Sequence, residues 1–194
     1  MLKPMPESLA EDRIKISDDR SFKEEIEKLS GQSIASCYQC GECTGGCPVA
    51  YASDLTPNQV SRLVQLGQDE QVLRSSMIWL CVGCETCATR CPRGVELSRV
   101  MDALRETAIK RGIPAREPNI KICHEALLRS LEHSGRVFEP AMIGEYKLRS
   151  RDLFSDLVLG LKMFLKGKLP LIPAFIRGRA DMKKMFTKDS KKKY

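Results

Sequence analysis

Two cysteine-rich runs with the same spacing constrain this chain more than any other feature. The first is CYQCGECTGGCP at residues 37–48, and the second is CVGCETCATRCP at residues 81–92. Both follow the pattern C-x2-C-x2-C-x3-C-P, so the second run is an internal repeat of the first. Eight of the nine cysteines lie in these runs. Thiols gathered at such spacings indicate metal binding or catalysis when the chain carries no export signal.

The sequence outside the runs argues against a disulfide framework. Residues 1–20 include EDRIKISDDR, where a secretory signal would need an apolar core. No stretch approaches the roughly 18–20 apolar residues of a membrane span, and the best candidate, residues 153–176, is interrupted by Asp156, three lysines and two prolines. We therefore predict no transmembrane segment and a cytoplasmic location, where thiols remain reduced.

The spacing of the runs is that of bacterial ferredoxins with two [4Fe–4S] clusters. Three cysteines at two-residue intervals hold one cluster, and the fourth, followed by proline, is directed to the neighbouring cluster. We therefore predict two [4Fe–4S] clusters with crossed ligands. The first cluster would be held by Cys37, Cys40, Cys43 and Cys91, and the second by Cys81, Cys84, Cys87 and Cys47.

Structural zinc is the main alternative interpretation of the runs. Zinc sites combine two separated cysteine pairs, a pattern that two runs of four cysteines fit poorly. A purely structural role for the clusters is a further alternative, but paired clusters suit the relay of single electrons better. The formal charge of +7 falls to about +3 once eight thiolates and two clusters are counted. The basic composition therefore does not predict nucleic-acid binding.

Helical periodicity surrounds both runs, and no convincing alternating strand is present, which predicts an all-α fold with the clusters held between helices. We expect helices over residues 21–29, 56–67, 69–80, 95–112, 117–134 and about 152–165, and a less regular segment over 138–149. The predicted domain organisation is a flexible N-terminal segment (1–20), a cluster-binding domain (21–135), a helical C-terminal extension that docks to other subunits (136–186) and a basic tail (187–194).

Several residues outside the ligand positions bear on function. Arg90, beside Cys91, should favour the reduced state of a nearby cluster, and Glu42 and Glu85 should oppose it if they face the sulfurs, so we hypothesise that the two clusters differ in potential. Cys123 is predicted to be a small buried hydrophobic residue. The sequence contains no G-x-G-x-x-G motif, the pattern that would indicate a flavin or nicotinamide site. The sequence therefore predicts an electron relay without a catalytic residue or substrate site of its own.

Three segments together resemble the iron–sulfur C-subunit of heterodisulfide reductase: CYQCGECTGGCP, WLCVGCETCATRCPRGVELSRVMDALRETAIKRGI and KGKLPLIPAFIRG. The resemblance extends over about residues 21–186. It implies an α-helical ferredoxin fold that passes electrons from the flavin-containing A-subunit to the catalytic B-subunit. In methanogens, the B-subunit reduces the heterodisulfide CoM-S-S-CoB and the A-subunit performs flavin-based electron bifurcation. The resemblance also implies an associated hydrogenase or formate dehydrogenase, and no nucleic-acid partner.

Two other functions share part of this pattern. The iron–sulfur subunit of a quinone-linked dehydrogenase, such as succinate dehydrogenase, carries similar cysteine runs, but it usually brings an N-terminal [2Fe–2S] domain. The segment before Cys37 contains no cysteine. A free-standing ferredoxin is the second alternative, and the long helical extension with its apolar residues argues for stable docking instead.

Overall fold

The computed structural model of the chain describes residues 21–152, 155–168, 176–178, 181–182 and 184–186. These residues form helices and connecting turns, with no β-strand in the described ranges, so the prediction of an all-α fold is confirmed. They fall into two compact units, the first ending at Glu117 and the second beginning at Pro118. The predicted N-terminal segment and basic tail lie outside the described residues.

The first unit contains both cysteine runs and seven α-helices among its described residues. These are α1 (Ser21–Ser30), α2 (Glu42–Gly45), α3 (Pro57–Gln65), α4 (Asp69–Leu73), α5 (Met77–Leu80), α6 (Thr86–Arg90) and α7 (Leu97–Lys110). Helices α2 and α6 are single turns within the first and second runs. The repeated cysteine motif therefore corresponds to a repeated local structure.

Helix α7 forms the centre of this unit, and α1, α4 and α5 pack against it. Its predicted apolar face is confirmed, because every residue of that face is buried: Leu97, Val100, Met101, Leu104 and Ala108. Arg111, just beyond α7, pairs with Glu25 of α1 and Asp69 of α4, and its guanidinium lies 5.4 Å from the centre of the Phe22 ring. The helix that follows the second run is thus fixed on several sides.

Helix α3 begins as its sequence predicts. Thr56 is the N-cap and Pro57 occupies the first turn, where a missing N–H costs nothing. The Gln59 side chain accepts a hydrogen bond from the Thr56 backbone N–H at 2.8 Å. Gly67, at a φ of +68°, follows the end of the helix.

Three helix predictions were wrong in part. Residues 69–80 form two short helices instead of one, because the Ser75 and Ser76 side chains and the Ser76 N–H bond to Asp54 between them. The segment expected to be irregular is a helix, Glu139–Ser150. The last helix begins at Leu157, later than predicted.

The second unit contains α8 (Pro118–Ser134), α9 (Glu139–Ser150) and α10 (Leu157–Leu165). Helices α8 and α9 pack together, and two ion pairs join them, Arg129 with Glu145 and Arg149 with Glu125. Cys123 of α8 is only partly buried, which differs from its predicted burial. None of the described helices has both the length and the apolar character needed to cross a membrane.

Candidate cluster-binding site

A cavity in the first unit brings together cysteines from both runs. Cys81, Cys84 and Cys87 of the second run line it together with Cys47 of the first. Most of the remaining wall is apolar and is formed by Pro48, Val49, Pro57, Met77, Val82, Leu97 and Met101. Four thiols around an apolar cavity are the donor set that a [4Fe–4S] cluster takes, so the residues present fit that group.

Backbone amides surround the sulfur atoms of this cavity. The Gly83 amide donates to Cys81, and the Ala88 and Ser98 amides donate to Cys87. The Thr86 amide donates to Cys84, whose Sγ also lies 3.4 Å from Thr86 Oγ1. Hydrogen bonds to sulfur disperse the charge of a cysteine ligand and tune the group that it binds.

Burial and hydrogen bonding act on these thiols in opposite directions. Burial raises the pKa of Cys81 and Cys87, which favours the protonated thiol. The exposed Cys84 behaves differently, because the Thr86 hydroxyl and amide lower its pKa. Buried thiols in apolar surroundings become stable thiolates when they bind a metal group.

The other four predicted ligands lie around the first run. Burial raises the pKa of Cys43, and Cys37 lies close enough to raise it further. Desolvation raises the pKa of the Tyr38 phenol, and the nearby Cys40 and Cys91 add to the rise. Tyr38 thus interacts with one cysteine from each run.

Polar groups also reach the sulfurs of this first region. Gln39 Nε2 donates to Cys37 Sγ at 3.5 Å, and the Val95 amide donates to Cys91 Sγ at 3.3 Å. The amide and hydroxyl of Thr44 bond to Cys43. Within the described residues, no three His, Cys, Asp or Glu side chains converge closely enough to hold a single metal ion. A cluster is a different case, because it holds several iron atoms.

The two runs pack directly against each other through α2 and α6. Gly46, next to Cys47, lies against Arg90 and Thr86 of the second run. A Cβ built on Gly46 would lie 2.8 Å from Arg90 Cδ and 3.1 Å from Thr86 Cγ2. The absence of a side chain at Gly46 therefore allows the close approach that brings Cys47 to the second run.

We expect Gly46→Ala to destabilise this contact by about 1 kcal/mol, because the Arg90 side chain must move aside. The φ of −98° suits alanine, so backbone strain does not contribute. In an Arg90→Ala background the same substitution should cost less. Thermal unfolding of the two single variants and the double variant tests this coupling, and strictly additive effects would contradict it.

Sequence reasoning missed two side chains that hold the cysteine loops. Gln65 of α3 donates to the carbonyl of Cys37, and Arg105 of α7 donates to the carbonyl of Cys81. They were missed because they lie 28 and 24 residues after their cysteines. The repeat in the cysteine spacing therefore does not align them, and only the tertiary structure shows that they correspond.

Comparison with known proteins identifies the class of this region. The family described as "4Fe-4S dicluster domain" matches residues 33–95, which include both runs. Residues 33–95 are therefore similar to iron–sulfur domains of the dicluster type, and they lie within an all-α fold.

The relatives of the chain are more specific than the domain. The iron–sulfur C-subunit of the CoB--CoM heterodisulfide reductase of Methanopyrus kandleri is 42% identical over 84 residues, which are 43% of this chain and 44% of that protein. A second such C-subunit, from Methanocaldococcus jannaschii, is 44% identical over 81 residues, 42% of this chain and 43% of that protein.

A third relative is the C-subunit of the H(2):CoB-CoM heterodisulfide,ferredoxin reductase of Methanothermobacter thermautotrophicus. It is 34% identical over 97 residues, which are 50% of this chain and 52% of that protein. The chain thus spans about half the length of the curated relatives it matches. Over that span it is similar to the iron–sulfur C-subunits of heterodisulfide reductases, in agreement with the resemblance seen in the sequence.

Proposed function

We propose that this chain is the electron-transfer subunit of a heterodisulfide reductase complex and that it binds two [4Fe–4S] clusters with crossed ligands. The observation that carries the proposal is the cavity shared by Cys47 and three cysteines of the second run. One run alone does not supply this donor set. The contact between Gly46 and Arg90 supports the same arrangement, because Gly46 lies next to Cys47, the fourth cysteine of the first run.

The residues of the chain have three tasks in this function. Cys81, Cys84, Cys87 and Cys47 would hold one cluster, and Cys37, Cys40, Cys43 and Cys91 the other. When bound, the clusters supply one-electron transfer. The amides of Gly83 and Ser98 orient the cysteine ligands and disperse their charge. The apolar wall, which includes Met77 and Met101, excludes water from the ligands.

The chain's surface offers two places where electrons can enter and leave. Cys40 and Cys84 are both exposed, and each is the second cysteine of its run. Apolar side chains lie beside them in sequence, with Tyr38 60% and Val82 66% exposed. Exposed apolar groups next to a redox ligand suit docking of a protein partner, because burial of their surface favours association. We assign these positions to contacts with partner proteins of the complex.

The names of the relatives support the complex and the reaction that we propose. We propose the flavin-containing A-subunit as electron donor and the disulfide-reducing B-subunit as acceptor, with CoM-S-S-CoB as the substrate. The relative from Methanothermobacter thermautotrophicus is named for H(2) and ferredoxin, and one from Methanococcus maripaludis for H(2)/formate. These names support an associated hydrogenase or formate dehydrogenase. We propose flavin-based bifurcation from the sequence resemblance alone. We place the complex in the cytoplasm, where its thiols remain reduced.

Anaerobic purification of the native protein, with identification of its companions, tests this function. The expected result is recovery together with a flavoprotein and a disulfide-reducing protein, and heterodisulfide-dependent reoxidation of the reduced clusters. Recovery as a monomer with clusters intact would contradict the proposed place in a complex and favour a free-standing ferredoxin. Recovery with a quinone-reducing membrane complex would favour the dehydrogenase alternative.

A further inference from the structure

The first cysteine of each run follows a helical turn whose carbonyls are bonded by one side chain from a later helix. At the first run, Gln65 Nε2 of α3 donates to the carbonyl of Ile34 at 2.9 Å and to that of Cys37 at 2.8 Å. These bonds fix the entry to the run, because they join the Cys37 carbonyl, which lies beyond the turn, to the Ile34 carbonyl, which also accepts the Cys37 N–H.

The second run has the same arrangement with a different residue. Arg105 of α7 donates from Nε to the carbonyl of Ile78 at 2.5 Å and from Nη2 to that of Cys81 at 3.0 Å. Ile34 and Cys37 correspond to Ile78 and Cys81 in the repeat, since each pair is the first cysteine and the residue three before it. Gln65 and Arg105 therefore bond equivalent carbonyls at the start of each run, but Gln65 is neutral and Arg105 is cationic.

The charge of Arg105 is held close to the second-run cysteines and largely away from water. Its side chain is 19% exposed, and its charge acts on Cys81, where it opposes the rise in pKa that burial causes. Asp102 lies 3.2 Å from Arg105 and partly offsets this charge, but Asp102 is 70% exposed and well screened by solvent. The positive charge inside the protein is therefore only partly neutralised.

Other charges near the two sites lie at the surface. Glu85 accepts a hydrogen bond from Ser98 near the second-run cysteines, and Arg90 contacts the first run at Gly46. Arg93 acts on Tyr38 near the first-run cysteines. Glu85, Arg90 and Arg93 are all exposed, so water and salt weaken their effect. Arg105 is the charged group with the least exposed side chain among those named here, and it is bonded directly to a ligand's backbone.

Resting on the proposed function, we propose that Arg105 raises the reduction potential of the cluster at Cys81, Cys84, Cys87 and Cys47 above that of the other cluster. Reduction adds one negative charge, which a poorly screened cation stabilises. One electron from the reduced flavoprotein would enter at the first-run site. It would then pass to the second-run site and leave to the disulfide-reducing partner, with no proton transferred between the sites.

Redox titration of the purified full chain, monitored by electron paramagnetic resonance, tests this order. The midpoint potential that disappears in Cys47→Ala identifies the second-run site. Arg105→Gln, which installs the neutral side chain found at Gln65, should shift that potential negatively and leave the other unchanged. Arg105→Lys should retain most of the wild-type value, because it keeps the charge. Arg99→Gln removes an exposed charge from the same helix and should shift neither potential.

The reciprocal variant keeps the proposal testable if Arg105→Gln fails to assemble its cluster. Gln65→Arg should then shift the first-run potential positively, and an unchanged value would overturn the proposal. An Arg105→Gln shift no larger than that of Arg99→Gln, or one confined to the first-run site, would also overturn it. These results leave the proposed function standing, whereas a wild-type protein that binds no [4Fe–4S] cluster would contradict the proposed function itself.

Discussion

Replacing Cys47 with alanine is expected to remove the cluster bound by the second cysteine run, although Cys47 lies in the first. The reason is its position in the cavity with Cys81, Cys84 and Cys87. Iron content should fall by about half, because each cluster carries four irons. Electron paramagnetic resonance of the reduced protein should lose one of its two cluster signals. Cys91→Ala should cause the opposite loss and leave the cluster at Cys81, Cys84 and Cys87 in place.

Cys123→Ala is the matched control for this pair of variants, since Cys123 lies on α8 in the second unit, outside both runs. It should leave iron content and both signals unchanged. The ligand sets would be wrong if Cys47→Ala and Cys84→Ala removed different signals. In that case each run would hold its own cluster, and the shared cavity would have no role in ligation.

Asp54→Ala is expected to destabilise the first unit by about 3 kcal/mol, since it leaves several buried groups without a partner. Asp54 Oδ1 accepts hydrogen bonds from the Ser75 hydroxyl at 2.8 Å and from the Ser76 amide at 3.0 Å. Its Oδ2 lies 2.8 Å from Arg116 Nη1, and the Asp54 side chain is 8% exposed. These bonds fix the start of α5, which leads directly to Cys81.

Thermal unfolding of the anaerobic protein measures this loss, with an expected fall in Tm of roughly 6–12 °C. Glu70→Ala is the control, because Glu70 forms an exposed ion pair with Arg74 in the same unit. Such a pair contributes about 0.5 kcal/mol or less. Equal Tm values for the two variants would show that Asp54 does not stabilise the start of α5.

The effect of Asp54 should also be independent of pH over the range in which iron–sulfur proteins can be handled. Burial alone would raise the pKa of Asp54, but the bonds from Ser75 and Ser76 and the charge of Arg116 outweigh it and hold the pKa below the ordinary value of an aspartate. A carboxylate with a depressed pKa stabilises the fold fully above its unfolded pKa and loses that effect only as pH falls through the folded value. The difference in Tm should therefore be the same at about pH 5 and about pH 8. A difference that shrinks towards pH 5 would contradict the lowered pKa.

Local signals in the sequence predict those helices whose ends they mark. Thr56 and Pro57 mark the start of α3, and Gly135, at a φ of +75°, follows the end of α8. The break between α4 and α5 has no such signal in its own residues. It depends on hydrogen bonds from Ser75 and Ser76 to Asp54, which lies more than twenty positions earlier in the chain. Side chains that compete for backbone groups across such a distance cannot be identified from local periodicity.

In the candidate site, too, some residues could be predicted from the sequence and others required the tertiary structure. The assignment of the eight cysteines as ligands needs only the sequence, because the spacing of each run is itself the chemical pattern, and it stays a prediction. The side chains that support them could not, since Gln65 and Arg105 reach Cys37 and Cys81 only through tertiary packing. The sequence hypothesis that the clusters differ in potential rested on Arg90, Glu42 and Glu85, which are all exposed. The structure adds Arg105, a less exposed cation that bonds to a ligand's backbone.

Mössbauer spectroscopy of the anaerobically purified wild-type protein, combined with iron and sulfide analysis, tests the central claim most directly. Two [4Fe–4S] clusters in one chain predict about eight iron and eight sulfide ions per polypeptide, all iron belonging to [4Fe–4S] centres. A protein that contains zinc and no sulfide, or one [4Fe–4S] cluster with four of the eight cysteines free to react with a thiol reagent, would contradict it.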